Sequence, residues 1–224
     1  MLLWVGWVLF NAGSGFAING DKGVEAARAI TNTLISPSAA GLVCFFLDKR
    51  LGGNQDIRYN FAAVTNGILA GAVAITASSD RVENWAAVVI GIIGAFVYMG
   101  SVHLVEKLKI DDPLEATQVH GFNGLWGTIA LAFFKKDEGI LYGGPKCGRL
   151  LVVQLVGALF FIVWSALCSG IYFGIAKKLN FLRLPYSEEV LGGDIHYFAP
   201  LEFVGNPKEY GLMTSGGSSG KSAG

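Results

Sequence analysis

His120 stands inside a long apolar run, in the string His120-Gly121-Phe122-Asn123-Gly124-Leu125-Trp126-Gly127. An imidazole there has two uses: it can take up or pass on a proton near neutral pH, or it can hold a neighbouring helix through a hydrogen bond. The residue alone leaves both open. Gly121, Gly124 and Gly127 recur every three residues and place small side chains on about one helix face, where a second helix can approach. The other polar residues set in apolar surroundings are Asn11, Ser14, Asn32, Asn66, Thr76 and Asn123. Their first expected use is hydrogen bonding between helices. Asp111-Asp112-Pro113 precedes the run that holds His120. Carboxylates at that place cap free N–H groups and complement the helix dipole, and proline suits a first turn. Glu115 either joins this cap or pairs with Lys107 or Lys109. His103, near the end of a run, and His196, in a polar tail, carry no such expectation.

The elements that must position these groups are apolar helices. A membrane span needs about 20 mainly apolar residues, and six runs qualify: 2–19, 24–47, 60–77, 85–105, 114–134 and 150–176. Alternating strand patterns are absent, so the expected fold is an all-α membrane protein of six transmembrane helices rather than a barrel. The first run has no basic residues ahead of it and contains Trp4, Trp7 and Asn11, so it reads as a span and not a leader peptide. Pro37 lies in the middle of the second run and predicts a kink. Residues 1–181 form the expected transmembrane domain. Residues 182–224 form a polar tail whose Gly/Ser-rich end, TSGGSSGKSAG, is expected to be disordered.

Composition agrees. The chain has 224 residues, 52% hydrophobic and 15% charged, with 31 glycines. A soluble domain carries about 25% charged residues, so this chain lacks the polar surface to cover a water-soluble globule. Seventeen basic residues balance seventeen acidic ones with no basic block, which argues against nucleic acid as a partner. The three cysteines show no zinc spacing or disulfide framework. There is no phosphate loop, nucleophile elbow or HExxH string, so neither an enzyme nor a cofactor is expected. The loop 48–59, the loop 106–113 and the tail carry 10 Lys and Arg against 6 in the opposite loops, which puts the C-terminus in the cytoplasm.

Four strings, in order and in register, carry a family resemblance. Gly6–Ser14 (GWVLFNAGS), Ala26–Ser36 (AARAITNTLIS), Asn66–Thr76 (NGILAGAVAIT) and Asp111–Gly127 (DDPLEATQVHGFNGLWG) resemble segments of the ammonium transporter family, within the ammonium transporter/Rhesus superfamily. The first and third fit the ammonium transporter branch better than the Rhesus branch. The resemblance implies a fold of eleven spans made of two inverted five-helix repeats and a final helix. This chain would supply spans six to eleven: the second repeat plus the final helix. It also implies a homotrimer of full-length subunits in the lipid bilayer, expected at the plasma membrane.

By resemblance, His120 matches the second of two neighbouring pore histidines, and the first belongs to a span outside this sequence. Phe10 aligns with one of two stacked aromatic gate residues. Ser14 aligns with the hydroxyl of the outer ammonium site. Trp7 and Thr76 resemble wall positions. The implied function is passage of ammonium or ammonia through an apolar pore. The alternatives are a truncated, non-transporting homologue that serves as a regulatory or structural partner of full-length subunits, and an ammonium sensor. Two departures stand out: Ile75-Thr76-Ala77-Ser78-Ser79-Asp80 replaces the family's ITPACG, and the tail reads Gly192-Gly193-Asp194-Ile195-His196-Tyr197-Phe198.

Overall fold

In the computed structural model the described residues are 2–51, 61–143, 147–183 and 189. The expected tail lies outside them, apart from Leu182, Arg183 and Glu189. The described residues form six α-helices and no strands: α1 (Leu2–Gly13), α2 (Gly20–Leu51), α3 (Phe61–Thr76), α4 (Asn84–Lys107), α5 (Asn123–Phe134) and α6 (Cys147–Lys178). A π-helical segment, Thr117–Phe122, runs directly into α5, and a short 3-10 turn, Ile140–Tyr142, precedes α6. Each α-helix falls on one of the six apolar runs. Among the described residues, three segments are long and apolar enough to cross a membrane, Gly20–Leu47, Asn84–Lys107 and Gly148–Lys178, while α1 and α3 are shorter apolar helices. The run 2–19 is helical only to Gly13, because Gly13, Ser14 and Gly15 end it and Phe16 adopts a φ of 60°.

The chain divides into two compact units, Met1–Ile162 and Val163–Gly224. In the first, α2, α3 and α4 pack together, with α1 against α2 and α3, and α5 against α3 and α4. One core cluster joins Ile75, Val82, Ile90, Ala130 and Phe134; another joins Ala40, Cys44, Ala70, Ala95, Tyr98 and Val119. Small residues set the spacing. A β-carbon at Gly91 would lie 2.3 Å from the Ser36 carbonyl oxygen, and one at Gly127 would lie 2.5 Å from that of Ala74. Backbone contact at this range admits only glycine. Of the three glycines spaced along the His120 run, Gly127 alone makes such a contact; Gly121 is exposed and meets only the Thr117 methyl at 3.7 Å.

Buried polar groups fasten these crossings. The Asn32 amide donates to the carbonyls of Ser79 (2.8 Å) and Val82 (3.0 Å). The Ser36 hydroxyl donates to Gly71 O (2.9 Å), and the Trp126 indole to Ile90 O (3.1 Å). The helix α2 runs through Pro37 without a break. Proline lacks the N–H that would bond the carbonyl four residues back, which is that of Thr33. The Trp4 indole of α1 donates to this same oxygen at 2.9 Å, and the Asn11 amide donates to the Thr33 hydroxyl, also at 2.9 Å. The proline therefore creates the acceptor by which α1 is docked.

At one end of α4, Glu83 accepts hydrogen bonds from the Trp85 indole (2.9 Å) and the Tyr142 hydroxyl (3.2 Å), and Lys136 stands 3.4 Å away. These contacts, the indole bond foremost, hold the Glu83 carboxyl below its ordinary range. Burial, with the Glu83 charge beside it, pushes the Tyr142 phenol up.

The helix α6 is different in kind. It is the most apolar of the three span-length segments and carries no charged residue between Arg149 and Lys177. A helix of that length that is apolar on all sides is matched to lipid. The chain is a membrane protein.

Candidate functional site

The expected pathway residues come from α1 and its end, from α3 and from the π segment. Trp7 and Phe10 are three apart on α1, with rings edge to face at 6.3 Å and 67°. The Trp7 indole N–H donates to the Thr76 hydroxyl at the end of α3 (2.7 Å), and that hydroxyl donates back to Ala72 O (2.8 Å). The other side of Trp7 meets His120, the rings nearly parallel at 6.1 Å and 20°. One indole thus joins α1, α3 and the π segment. His120 and Phe10 are both exposed, Phe10 by 59%. Ser14 lies beyond the end of α1 and donates to Phe10 O at 2.7 Å. Its hydroxyl is exposed and turned to its own helix end rather than to Trp7 or His120.

His120 also borders a mainly apolar cavity of about 690 Å³, lined among others by Thr117, Phe122, Leu125, Gln154 and Phe161. A weak base in such a place meets few competing polar groups.

Below His120 the chain enters its helix in an unexpected way. Asp112 accepts from the backbone N–H groups of Ala116 (3.0 Å) and Thr117 (2.8 Å), the capping expected for this carboxylate. The Thr117 bond is the leading reason its carboxyl is held below the usual range. Asp111 is exposed, and both capping bonds go to Asp112. Pro113 lies in a turn ahead of the helix instead of in its first turn. Glu115 joins neither the cap nor a lysine. It accepts from the Asn66 amide of α3 (2.8 Å) and from the Tyr98 hydroxyl of α4. Glu115 has a φ of 56°, a conformation costly for a residue with a β-carbon and upheld here by the two side-chain partners. Tyr98, 2% exposed, had no place among the sequence candidates. Its one signal was a lone phenol deep in an apolar run, a group that requires a partner when buried.

The family model of the Ammonium Transporter Family matches residues 1–202. The chain belongs to this family. It is 36% identical to ammonium transporter 1 member 1 of Arabidopsis thaliana, an alignment that covers 87% of this chain and 42% of that protein. Among solved structures, the Sensor Amt Protein aligns with a TM-score of 0.75 at 32% identity, over 88% of this chain and 47% of that one. Saccharomyces cerevisiae Mep2 aligns with a TM-score of 0.70 at 27% identity, over 83% and 42%. The chain spans less than half the length of these relatives.

Within this ammonium transporter family chain, the structure brings together Trp7, Phe10, Thr76 and His120. It sets Asp112, Asn66 and Glu115 at the entry to the π segment, and leaves Ser14 and Asp111 at exposed ends.

Proposed function

We propose that this chain contributes to the passage of ammonium or ammonia across a membrane, as the C-terminal half of a longer transporter fold, with residues 1–181 as its membrane domain. The observation that carries the reading is the Trp7 indole. It is stacked on His120 and hydrogen-bonded to Thr76, so that an aromatic wall and an imidazole share one exposed face. Phe10 and Trp7 offer aromatic faces to a cation, worth roughly 0.5–2 kcal/mol each. Stripping an ammonium ion of water costs far more than that. Release of its proton leaves neutral ammonia, which passes apolar walls such as those beside His120 at little cost. The imidazole accepts a hydrogen bond from ammonia and can relay the proton. Potassium has no proton to lose and is rejected. Ser14, at the exposed end of α1, is the outermost polar contact on this path.

The lysine and arginine bias of the loops supports a cytoplasmic C-terminus. Assembly as a trimer at the plasma membrane belongs to the same reading by family likeness. The test is reconstitution of the full chain in liposomes, with an ammonium gradient and an internal pH dye. The expected result is an ammonium-dependent pH change or current above empty vesicles, reduced in His120→Ala and absent for potassium. Vesicles no different from empty ones overturn transport by this chain.

The likeness to the Sensor Amt Protein favours a second reading, an ammonium sensor. Saturable ammonium binding without flux in the same vesicles decides for it.

A further inference from the structure

The π segment decides which residue of its turn faces outward. In an α-helix, at about 100° per residue, His120 sits only about 60° around the axis from Asn123, whereas Gln118 sits about 140° away. Asn123 points inward, fully buried against α4. A plain α-helix would therefore carry His120 toward the core and turn Gln118 out. The structure has the reverse: Gln118 is 2% exposed and His120 is exposed. The wider turn of Thr117–Phe122 makes the exchange.

This register has a cost. The Gln118 Oε1 and Asn123 Oδ1 atoms are both buried without a hydrogen-bond partner among the described residues, and such groups are expensive. One contact offsets it. The Asn123 amide donates to the backbone carbonyl of Gln118, five residues back, at 3.0 Å. The Asn123 backbone N–H bonds His120 O instead. The side chain thus occupies the carbonyl that an α-helix would bond to the N–H of Phe122. Gly94 on α4 leaves the room for it: a β-carbon there would lie 3.1 Å from Asn123 Oδ1 and 3.2 Å from the Ala74 methyl.

We propose that Asn123 is a positioning residue for His120, and that its amide, seated on Gly94, holds the π turn that faces the imidazole to Trp7 and the adjoining cavity. The functional meaning of that placement rests on the transport reading, but the placement itself is tested without flux. In the full chain in detergent or nanodiscs, the rate of histidine carbethoxylation is followed by mass spectrometry, with exposed His103 as the internal reference. Removal of the amide in Asn123→Ala lets the turn relax to α register. The His120 rate then falls about threefold or more relative to His103, as the ring turns inward. Gly94→Ala, which crowds the amide from α4, moves the rate the same way. One variant keeps the wild-type rate. In Gln118→Leu, an unpartnered oxygen is lost while the backbone carbonyl remains. A folded Asn123→Ala protein with an unchanged His120 rate overturns the proposal. So does loss of the rate in Gln118→Leu, which would mean that the Gln118 side chain holds the turn. Absence of flux in liposomes with these rates as expected would overturn only the transport reading.

Discussion

Trp4→Phe tests how α1 is held, because its effect should depend on a residue it does not touch. The Trp4 indole donates to the Thr33 carbonyl at 2.9 Å, and Thr33 is fully buried. That carbonyl lacks its helical partner because residue 37 is proline. Trp4→Phe keeps most of the ring and removes the donor, leaving an unpaired buried oxygen. The penalty for such a group is about 1–3 kcal/mol, while measured interhelical hydrogen bonds in membranes average about 0.6 and reach about 1.7 kcal/mol. The two ranges overlap near 1 kcal/mol, which is the expected hydrogen-bond loss. Pro37→Ala restores an N–H to the same oxygen. In that background Trp4→Phe should cost only its lost ring packing. The assay is reversible unfolding of the four proteins in mixed micelles, read as a double-mutant cycle. The expected coupling is about 1 kcal/mol, against an additivity error of about 0.3–0.5 kcal/mol. If Trp4→Phe costs the same in both backgrounds, the carbonyl has another partner and the account of Pro37 as the maker of the docking site is wrong.

Further expectations follow from the same contacts. Gly91→Ala places a methyl group 2.3 Å from the Ser36 carbonyl; it should destabilise by about 1–3 kcal/mol in the same unfolding assay, whereas Gly100→Ala, with nothing within 4 Å, should be neutral or slightly stabilising. Asp112→Ala should cost about 1 kcal/mol through loss of the cap. The Asp112 carboxyl is held low in the folded state, so its contribution is fully present above the unfolded carboxylate pKa and is lost as pH falls through the folded value. A stability difference between wild type and Asp112→Ala that persists undiminished in strong acid would contradict this. Tyr98→Phe removes one of two donors to Glu115 and leaves Asn66 alone to hold its left-handed backbone; amide hydrogen exchange in residues 115–122 should rise by about tenfold, as expected for about 1.4 kcal/mol of local opening.

Much of the architecture was legible in residue order. Apolar runs of span length fix six helices, because a backbone in lipid must bond within its own segment. The Asp112 cap was legible for the same reason, since a carboxylate just ahead of a helix acts on N–H groups a few residues away. The resemblance of Gly6–Ser14 and Asp111–Gly127 to family segments placed Trp7, Phe10 and His120 among the candidates. What sequence order did not carry was every choice that depends on a distant partner. Glu115 had two nearby lysines and instead bonds Asn66 and Tyr98, because the turn before the π segment aims it at α3 and α4. Pro37 predicted a kink, yet its main consequence is an acceptor that Trp4 fills from another helix. The three-residue glycine spacing assumed one α register through residues 121–127, which the π segment breaks. His120 faces outward because Asn123, packed on a glycine of α4, takes up a carbonyl five residues back. Residue types and hydropathy determined which segments are helices and which groups need partners. Only the packing of helices decided which partner each group received, since bonds such as Trp4–Thr33 and Asn66–Glu115 join residues 29 and 49 positions apart and compete with local alternatives of similar energy.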